Sequence, residues 1–417
     1  MSSIEQAVAD AHRREWAYVL AATVRVTRDL DAAEEAVQDA YVQALRTWAR
    51  DGVPARPGAW LTTVARRVAL NALRRRQTLE AKLPLLLEPA AAEPAEDGGI
   101  PDDRLRLVFT CCHPALAAEA QVALTLRLVC GVPTADIARA FLVAEPTMAA
   151  RITRAKKKIA TARIRYAVPA PNELPERVDA VLTVIHLLYA TGHTAGSGDT
   201  LQRDELTGRA LDLARLLHAL LPAEREVAGL LALLLVHHAR RDTRTGTDGR
   251  LLRLAEQDRS RWDGALIAES DQLIVAALRA GPPGRFTLQA AIAALHAQAP
   301  SYAETDWPQI RTLYDELLRI WPSPVVALNR AVAVSMVDGP QAGLDEIDAL
   351  ERDGRLAGYR YLPATKAELL HRLGRDSEAV VAYQAALALA DNATEHEFLT
   401  ERLRSATDSA QPGTRVP

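Results

Sequence analysis

Two segments of this chain are dense in arginine and lysine, and both place them at helical spacing. Residues 146–166 hold seven basic side chains and no acidic one. Polar side chains there repeat every three or four residues: Thr147, Arg151, Arg154 and Lys158. That spacing predicts one face of a helix. Guanidinium and ammonium groups in such a row neutralise phosphates, and an arginine can also read a guanine edge. The pattern indicates a nucleic-acid surface, with a solvated basic helix as the alternative.

The second basic segment covers residues 59–76, AWLTTVARRVALNALRRR. Thr63, Arg67, Asn71 and Arg74 fall on one predicted helix face. The further arginines of this helix, which contains no acid, are Arg66, Arg75 and Arg76. Trp60 opens the helix. An aromatic ring beside arginines suits single-stranded DNA, because the ring stacks on a base while the arginines hold phosphates. A core tryptophan on a solvated helix explains the same residues equally well.

The elements expected to position the 146–166 face form a helix-turn-helix. An apolar helix ends near Cys130-Gly131, and a second begins after Thr134 as its N-cap. The second helix carries Ile137, Ala138 and Phe141 on one face. A third starts at Pro146, with these residues facing the core: Met148, Ile152, Ala155 and Ile159. In this motif the second helix of the pair enters the major groove.

Two further helices are predicted nearer the N-terminus. In residues 31–48, Asp31 and Glu34 resemble a capping box, and one stripe faces inward: Ala33, Val37, Tyr41, Ala44, Leu45 and Trp48. In residues 59–76 the inward positions are Leu61, Val64, Ala65, Val68 and Ala72. The acids that open the first of these helices suit its macrodipole. An exposed acidic face for a basic partner is the alternative.

Composition predicts an all-α protein. The 417 residues are 49% hydrophobic and carry a net charge of −3, and long alternating runs of Val, Ile and Thr are absent. The three cysteines (Cys111, Cys112 and Cys130) show no paired metal-ligand spacing, so core thiols in a reducing cytoplasm are expected. The polar N-terminus does not resemble a signal peptide, and the longest apolar run, 229–236, is too short for a membrane span.

The remainder of the chain divides into linkers and a long helical tail. Residues 78–101 and 168–176 are rich in proline and predict linkers. From residue 177 helical patterns continue, and segments 323–350 and 361–389 each predict a helix, a glycine-containing turn and a helix, as in a tetratricopeptide repeat. The run QDRSRWDG (257–264) predicts a junction between helices or a ligand pocket.

With these pieces placed, the chain resembles a bacterial extracytoplasmic-function sigma factor of RNA polymerase. Three motifs in order carry the resemblance: DAAEEAVQDAYVQAL, PGAWLTTVARRVALNALRRR and GVPTADIARAFLVAEPTMAARITRAKKK. FTCCHPAL, QDRSRWDG and SPVVALNRAVAV resemble the subgroup with a tetratricopeptide-like extension. The resemblance implies sigma region 2 at 1–77, a flexible acidic linker at 78–101, region 4 at 102–167 and the helical extension at 177–417.

The resemblance also implies residue roles. Core RNA polymerase would be bound through its β′ clamp helices and β flap, with these residues on the β′ side: Glu35, Gln38, Asp39 and Val42. The −10 element and the unpaired strand would be bound by Trp60, Thr63, Arg66, Arg67, Asn71, Arg74 and Arg75. The −35 element would be bound by Thr147, Arg151, Arg154, Lys156 and Lys158.

The resulting interpretation is an alternative sigma factor that recruits polymerase to promoters and assists DNA opening. Its tail is expected to dock on the sigma regions and control their activity, with a regulatory protein or ligand as a further partner. No membrane partner and no cofactor are expected. An enzyme is not favoured, because no convergent nucleophile–base set, metal motif or cofactor loop stands out. The alternative is a polymerase-independent helix-turn-helix regulator with a helical sensor domain.

Overall fold

The computed structural model describes residues 3–80, 103–141, 143–170, 172–193, 204–246, 250–390 and 392–410. Within these ranges the chain is helical, and an isolated antiparallel β bridge joins Thr245 and Leu251. The all-α prediction is therefore confirmed. The chain divides into two compact units, residues 1–187 and 188–417. Most of the linker predicted at 78–101 lies outside the described residues, whereas positions 78–80 are helical.

The first unit contains helices joined by short turns. Their bounds are α1 Ser3–Thr27, α2 Leu30–Asp51, α3 Pro57–Glu80, α4 Asp103–Cys111, α5 Ala118–Leu124, α6 Thr134–Ala140 and α7 Glu145–Thr161. A π-helical turn, Thr125–Val129, continues α5. α8 (Leu174–His193) crosses the boundary between the units. Because α8 begins at Leu174, the proline-rich linker predicted at 168–176 is shorter than expected.

The start of α2 differs from the predicted capping box. Asp29 is the N-cap, and its carboxylate accepts hydrogen bonds from the backbone N–H groups of Asp31 (2.9 Å) and Ala32 (3.1 Å). This cap satisfies two of the donors that a helix start leaves open, so α2 begins at Leu30. Glu34 is buried and points into the unit, which removes it from any role at the cap.

The inward stripes of α2 and α3 match the prediction except at their edges. Leu45 was expected in the core but is 42% exposed. Ala72 was also expected in the core but is exposed, whereas Ala69 is buried. No residue from 70 to 75 is buried, because this end of α3 extends past the helices that cover its first half. Helical spacing predicts a face, but the neighbouring helices determine how much of it is covered.

The helix-turn-helix is present, and its inward face is as predicted. Met148, Ile152, Ala155 and Ile159 of α7 are buried. The predicted N-cap at Thr134 is wrong, since Pro133 occupies that position and Thr134 is the first helical residue.

Gly131 ends the preceding helical turn in the left-handed region, with φ +67°. A Cβ at this position would meet the Trp16 ring at 2.9 Å, so both backbone conformation and space require glycine.

The second unit is a series of helices. Their bounds are α9 Asp204–Leu220, α10 Arg225–Ala239, α11 Gly264–Ala280, α12 Arg285–Gln298, α13 Trp307–Ile320, α14 Pro324–Val337, α15 Pro340–Asp353, α16 Tyr361–Arg372, α17 Asp376–Leu387 and α18 Ala393–Ala410. The two predicted helix pairs are α14–α15 and α16–α17, and one apolar cluster unites them. Gly339 (φ +95°) and Gly374 (φ +72°) form the turns within the pairs. The positive φ angles explain why glycine suits both turns.

Candidate nucleic-acid interface

The outer face of α3 presents the polar residues singled out in the sequence. The exposed side chains are Thr63, Arg66, Arg67, Asn71, Arg74 and Arg75. They lie opposite the face that buries Leu61, Ala65 and Ala69. The described part of α3 contains no carboxylate before its last residue, Glu80, so this face is strongly basic.

Trp60 stands at the start of this face in a half-buried position. Its ring meets that of Trp48 edge-on, with 5.6 Å between the ring centroids. Trp48 is 1% exposed and forms part of the core of α2. The core tryptophan therefore holds Trp60 from one side, in the edge-to-face geometry that aromatic pairs prefer. This combines the two interpretations that the sequence left open, because Trp60 packs on the core while keeping part of its surface in solvent.

The outer face of α7 carries the second basic row. Thr147, Arg154 and Lys158 are exposed, and Arg151 is half-buried. Arg154 Nε donates to the carbonyl oxygen of Ala150 at 3.2 Å, which holds its guanidinium along the helix surface. The row thus lies on a face that solvent reaches, while the opposite face packs into the unit.

Lys156 does not lie with this row, although it was included among the DNA-binding residues. Its ammonium lies 2.7 Å from Asp31 Oδ1 and 2.7 Å from Glu34 Oε2 of α2. The Lys156 side chain is 10% exposed. Burial opposes its charge, but the hydrogen bonds and charges of the two carboxylates raise the pKa of Lys156 above its ordinary value. In this arrangement Lys156 is used within the protein and is not presented to DNA.

Arg127, in the π-helical turn, completes this ion cluster by pairing with Glu34 through Nη2. Glu34 is 8% exposed, so it is a buried carboxylate between two cations. The acids in the first turns of α2, Asp31 and Glu34, therefore pair with basic residues of the same chain. The acidic run of α2 and the basic run of α7 were both visible in the sequence, but their pairing was not inferred from it.

The side chains of Trp16 and Tyr166 reinforce the same packing through hydrogen bonds. Trp16 Nε1 of α1 donates to the carbonyl oxygen of Leu128 at 3.0 Å. Tyr166 Oη lies 3.1 Å from the carbonyl oxygen of Ala21 and 3.0 Å from that of Asp103. These contacts join segments that are more than 60 residues apart in the chain. The three N-terminal helices and the helix-turn-helix consequently form one compact unit.

The outer face of α2 borders the ion cluster, since Gln38 Nε2 donates to Glu34 Oε1 at 3.4 Å. Its exposed side chains are Glu35, Gln38, Asp39, Val42 and Leu45. Val42 is 46% exposed and Leu45 is 42% exposed. The spacing places an acidic and an apolar patch on one helix face. Leu45, which the sequence pattern assigned to the core, is the residue of this face that the sequence analysis missed.

The structure assigns the cysteines to ordinary packing. Cys111 and Cys112 are buried and unoxidised, and Cys112 Sγ lies 3.4 Å from Thr125 Oγ1. Burial raises the pKa of Cys112 to about 12. Within the described ranges no group of three or more His, Cys, Asp or Glu residues is arranged to hold a metal ion. The described helices also include none that is long and apolar enough to cross a membrane.

Comparison with known proteins gives three family matches. Residues 11–78 match Sigma-70 region 2, and residues 106–159 match Sigma-70, region 4. Residues 177–278 match a family of unknown function, DUF6596. Over 403 residues the chain is 44% identical to an uncharacterized protein, R00370, of Rhizobium meliloti (strain 1021). That alignment covers 95% of this chain and 94% of the relative.

Proposed function

Because this chain belongs to the sigma-70 family, as an extracytoplasmic-function-like member with a C-terminal extension, we propose that it directs core RNA polymerase to specific promoters and assists their opening. Sigma regions 2 and 4 imply binding to core polymerase and promoter DNA. The observation that carries the finer proposal is the pair of exposed basic faces, on α3 and α7, within the segments that match those regions. A polymerase-independent regulator would have no use for region 2.

The outer face of α2 is proposed as the contact with the β′ clamp helices. Val42 and Leu45 supply exposed apolar surface, which commonly marks a protein interface. Glu35 and Asp39 flank them and would add charge complementarity toward a basic partner. This face borders the Asp31–Glu34–Lys156 cluster, because Gln38 donates a hydrogen bond to Glu34. The β flap contact of region 4 is part of the same proposal.

The face of α3 is proposed to bind the −10 element and its unpaired strand. Arg66, Arg67, Arg74 and Arg75 would hold phosphates, while Thr63 and Asn71 supply hydrogen-bonding groups. Trp60 would stack on an unpaired base. Its packing on Trp48 already restricts the side chain, which lowers the loss of conformational entropy on binding.

The face of α7 is proposed to enter the major groove at the −35 element. Thr147, Arg151, Arg154 and Lys158 form the row that would contact it. Lys156 lies about half a turn away from this row, at ~100° per residue. It pairs with Asp31 and Glu34, so it is not part of the proposed contact.

The proposed domains are sigma region 2 at 1–77, a linker at 78–101, sigma region 4 at 102–167 and the helical extension at 177–417. The match of residues 177–278 to a family of unknown function supports this start of the extension. The extension is proposed to control the activity of the sigma regions and to receive a regulatory protein or ligand. Its ordered helices and extensive apolar clusters support a folded body with a role of its own.

Run-off transcription with core polymerase tests the function directly. The template carries the promoter upstream of the protein's own gene, and core polymerase alone is the control. We expect a defined transcript only when the protein is added. A folded variant, Val42→Asp with Leu45→Asp, should lose the transcript and also lose co-elution with core polymerase. Failure of the wild-type protein to bind core polymerase would contradict the proposal.

A further inference from the structure

The segment between α10 and α11, in the second unit, includes two short helical turns that pack together. Arg241–Thr243 forms one turn and Arg259–Arg261 the other. Trp262 Nε1 donates to Thr243 Oγ1 at 2.8 Å, and the Asp263 N–H donates to the carbonyl oxygen of Ala239 at 2.9 Å. These bonds fix the second turn against the end of α10. The QDRSRWDG run is therefore an ordered junction, as one of the two sequence interpretations proposed.

Arg240 and Arg259 lie at this junction, and neither has a carboxylate partner among the residues that the structure describes. Arg259 Nη1 donates to the carbonyl oxygen of Ala299 at 2.8 Å and to that of His296, and the guanidinium stacks over Trp262 at 4.8 Å. Arg259 Nη2 and Arg240 Nε are buried and have no hydrogen-bond partner in the described part of the chain. Neither arginine forms an ion pair with a described residue. Both side chains nevertheless keep some solvent exposure.

The surroundings of these two arginines are positively charged. Burial, reinforced by the neighbouring charge of Arg244, lowers the pKa of Arg240 to about 10. Burial and then the charges of Arg240 and Arg259 lower the pKa of His296 to about 4. Tyr189, which is 3% exposed, is near enough to Arg240 to interact with its charge, and its hydroxyl has no hydrogen-bond partner among the described residues.

Carboxylates around this cluster have other partners. Asp258 accepts from the backbone N–H of Ser260 at 3.0 Å and from its hydroxyl at 2.6 Å. Asp242 pairs with Arg241 at 3.5 Å, and Glu395 pairs with Arg360 at 2.7 Å. Partly buried charges are costly unless they are paired and hydrogen-bonded. Guanidinium groups with open N–H donors match the planar or tetrahedral oxygens of carboxylates and phosphates.

We propose that Arg240 and Arg259 form a binding site for a small oxyanion, a carboxylate or phosphate group, with Tyr189 as a further hydrogen-bond donor. The bound anion would supply the negative charge that the described residues do not supply to Arg240 and Arg259. The site lies in the segment that matches the family of unknown function, and the proposal assigns a class of ligand to this segment of the chain.

Isothermal titration of the full-length protein tests the site with inorganic phosphate and, separately, with malonate. Chloride at the same ionic strength is the reference. We expect saturable binding of at least one anion: phosphate alone identifies a phosphorylated ligand, malonate alone a carboxylate, and both a general oxyanion site. Arg240→Gln should weaken binding by roughly tenfold or more, because a charge-assisted hydrogen bond is lost. Arg261→Gln, an exposed neighbour in the same turn, should bind like wild type.

A second readout separates ligand binding from a structural role. In buffer without added oxyanion, Arg240→Gln should melt at the same temperature as wild type or higher, since it removes an unpaired, partly buried charge. If Arg240→Gln does not fold, Arg259→Gln decides the affinity comparison. Absence of saturable binding by both anions, or equal affinity in wild type and the folded arginine variant, would overturn the proposal. The assay uses no polymerase or DNA, so its outcome is independent of the sigma factor function.

Discussion

Lys156 Nζ of α7 lies 2.7 Å from Glu34 Oε2 of α2, although 122 positions separate the two residues in the chain. The contact joins the proposed −35-binding helix to the helix proposed to bind polymerase. Both side chains are nearly buried, so the pair is screened little by solvent. The ion pair therefore holds the proposed −35-binding helix against the proposed polymerase-binding helix.

Replacing Lys156 by methionine should loosen this packing. Removing one partner of a buried ion pair typically costs about 3–5 kcal/mol, and we expect a value near the low end, about 3 kcal/mol, because Arg127 still neutralises Glu34. Chemical denaturation, followed by tryptophan fluorescence, would measure the loss in free energy of unfolding. Lys157→Met, at the exposed neighbouring position, is the control. Equal stability of the two variants would contradict the role of the pair.

The double variant Arg151→Ala with Arg154→Ala should reduce transcription from promoters that depend on the −35 element. We expect a loss of about tenfold or more, since arginine contacts to base edges contribute about 1–3 kcal/mol each. Co-elution with core polymerase should persist, because α2 is untouched. Arg139→Ala on α6 is the matched control. Undiminished transcript from the folded double variant would remove α7 from −35 recognition.

Trp60→Ala should impair promoter opening more than duplex binding. Stacking of an aromatic side chain on a base contributes about 1–3 kcal/mol, and alanine removes it. Permanganate reactivity of −10 thymines reports strand separation, and Trp60→Phe should retain part of it. Because Trp60 packs on Trp48, circular dichroism must first establish that the alanine variant is folded. Normal thymine reactivity in that folded variant would refute the stacking role.

Deleting residues 188–417 should change transcription several-fold, in either direction, if the extension controls the sigma regions. The cut is placed after Leu187 because α8 belongs partly to the first unit. Arg177 Nη2 in α8 donates to the carbonyl oxygen of Phe109 at 2.5 Å, so removing the whole helix would disturb α4. Circular dichroism checks the fold, and run-off transcription measures activity. If a folded truncated protein transcribes like the full chain, the extension does not control the sigma regions.

Several features followed from the sequence because their physical causes are local. Helical periodicity identified the buried face of α7, from Met148 to Ile159, since residues three or four apart share a side of a helix. Gly131 marked the end of a helical turn because its backbone has a positive φ. The motif order also indicated the sigma-70 family, and the matches to regions 2 and 4 confirm it.

Other features depended on which surfaces meet in three dimensions. Leu45 and Ala72 have the spacing of core residues but remain exposed, because no neighbouring helix covers them. Lys156 belongs to a basic run in the sequence, yet two carboxylates from α2 bury it. A charge pattern records which groups are available for pairing, whereas long-range packing decides which of them approach within 3 Å and lose their water. The sequence by itself therefore determined the helices, the basic faces and the family. The tertiary structure alone decided which basic side chains form ion pairs within the protein and which remain exposed to solvent.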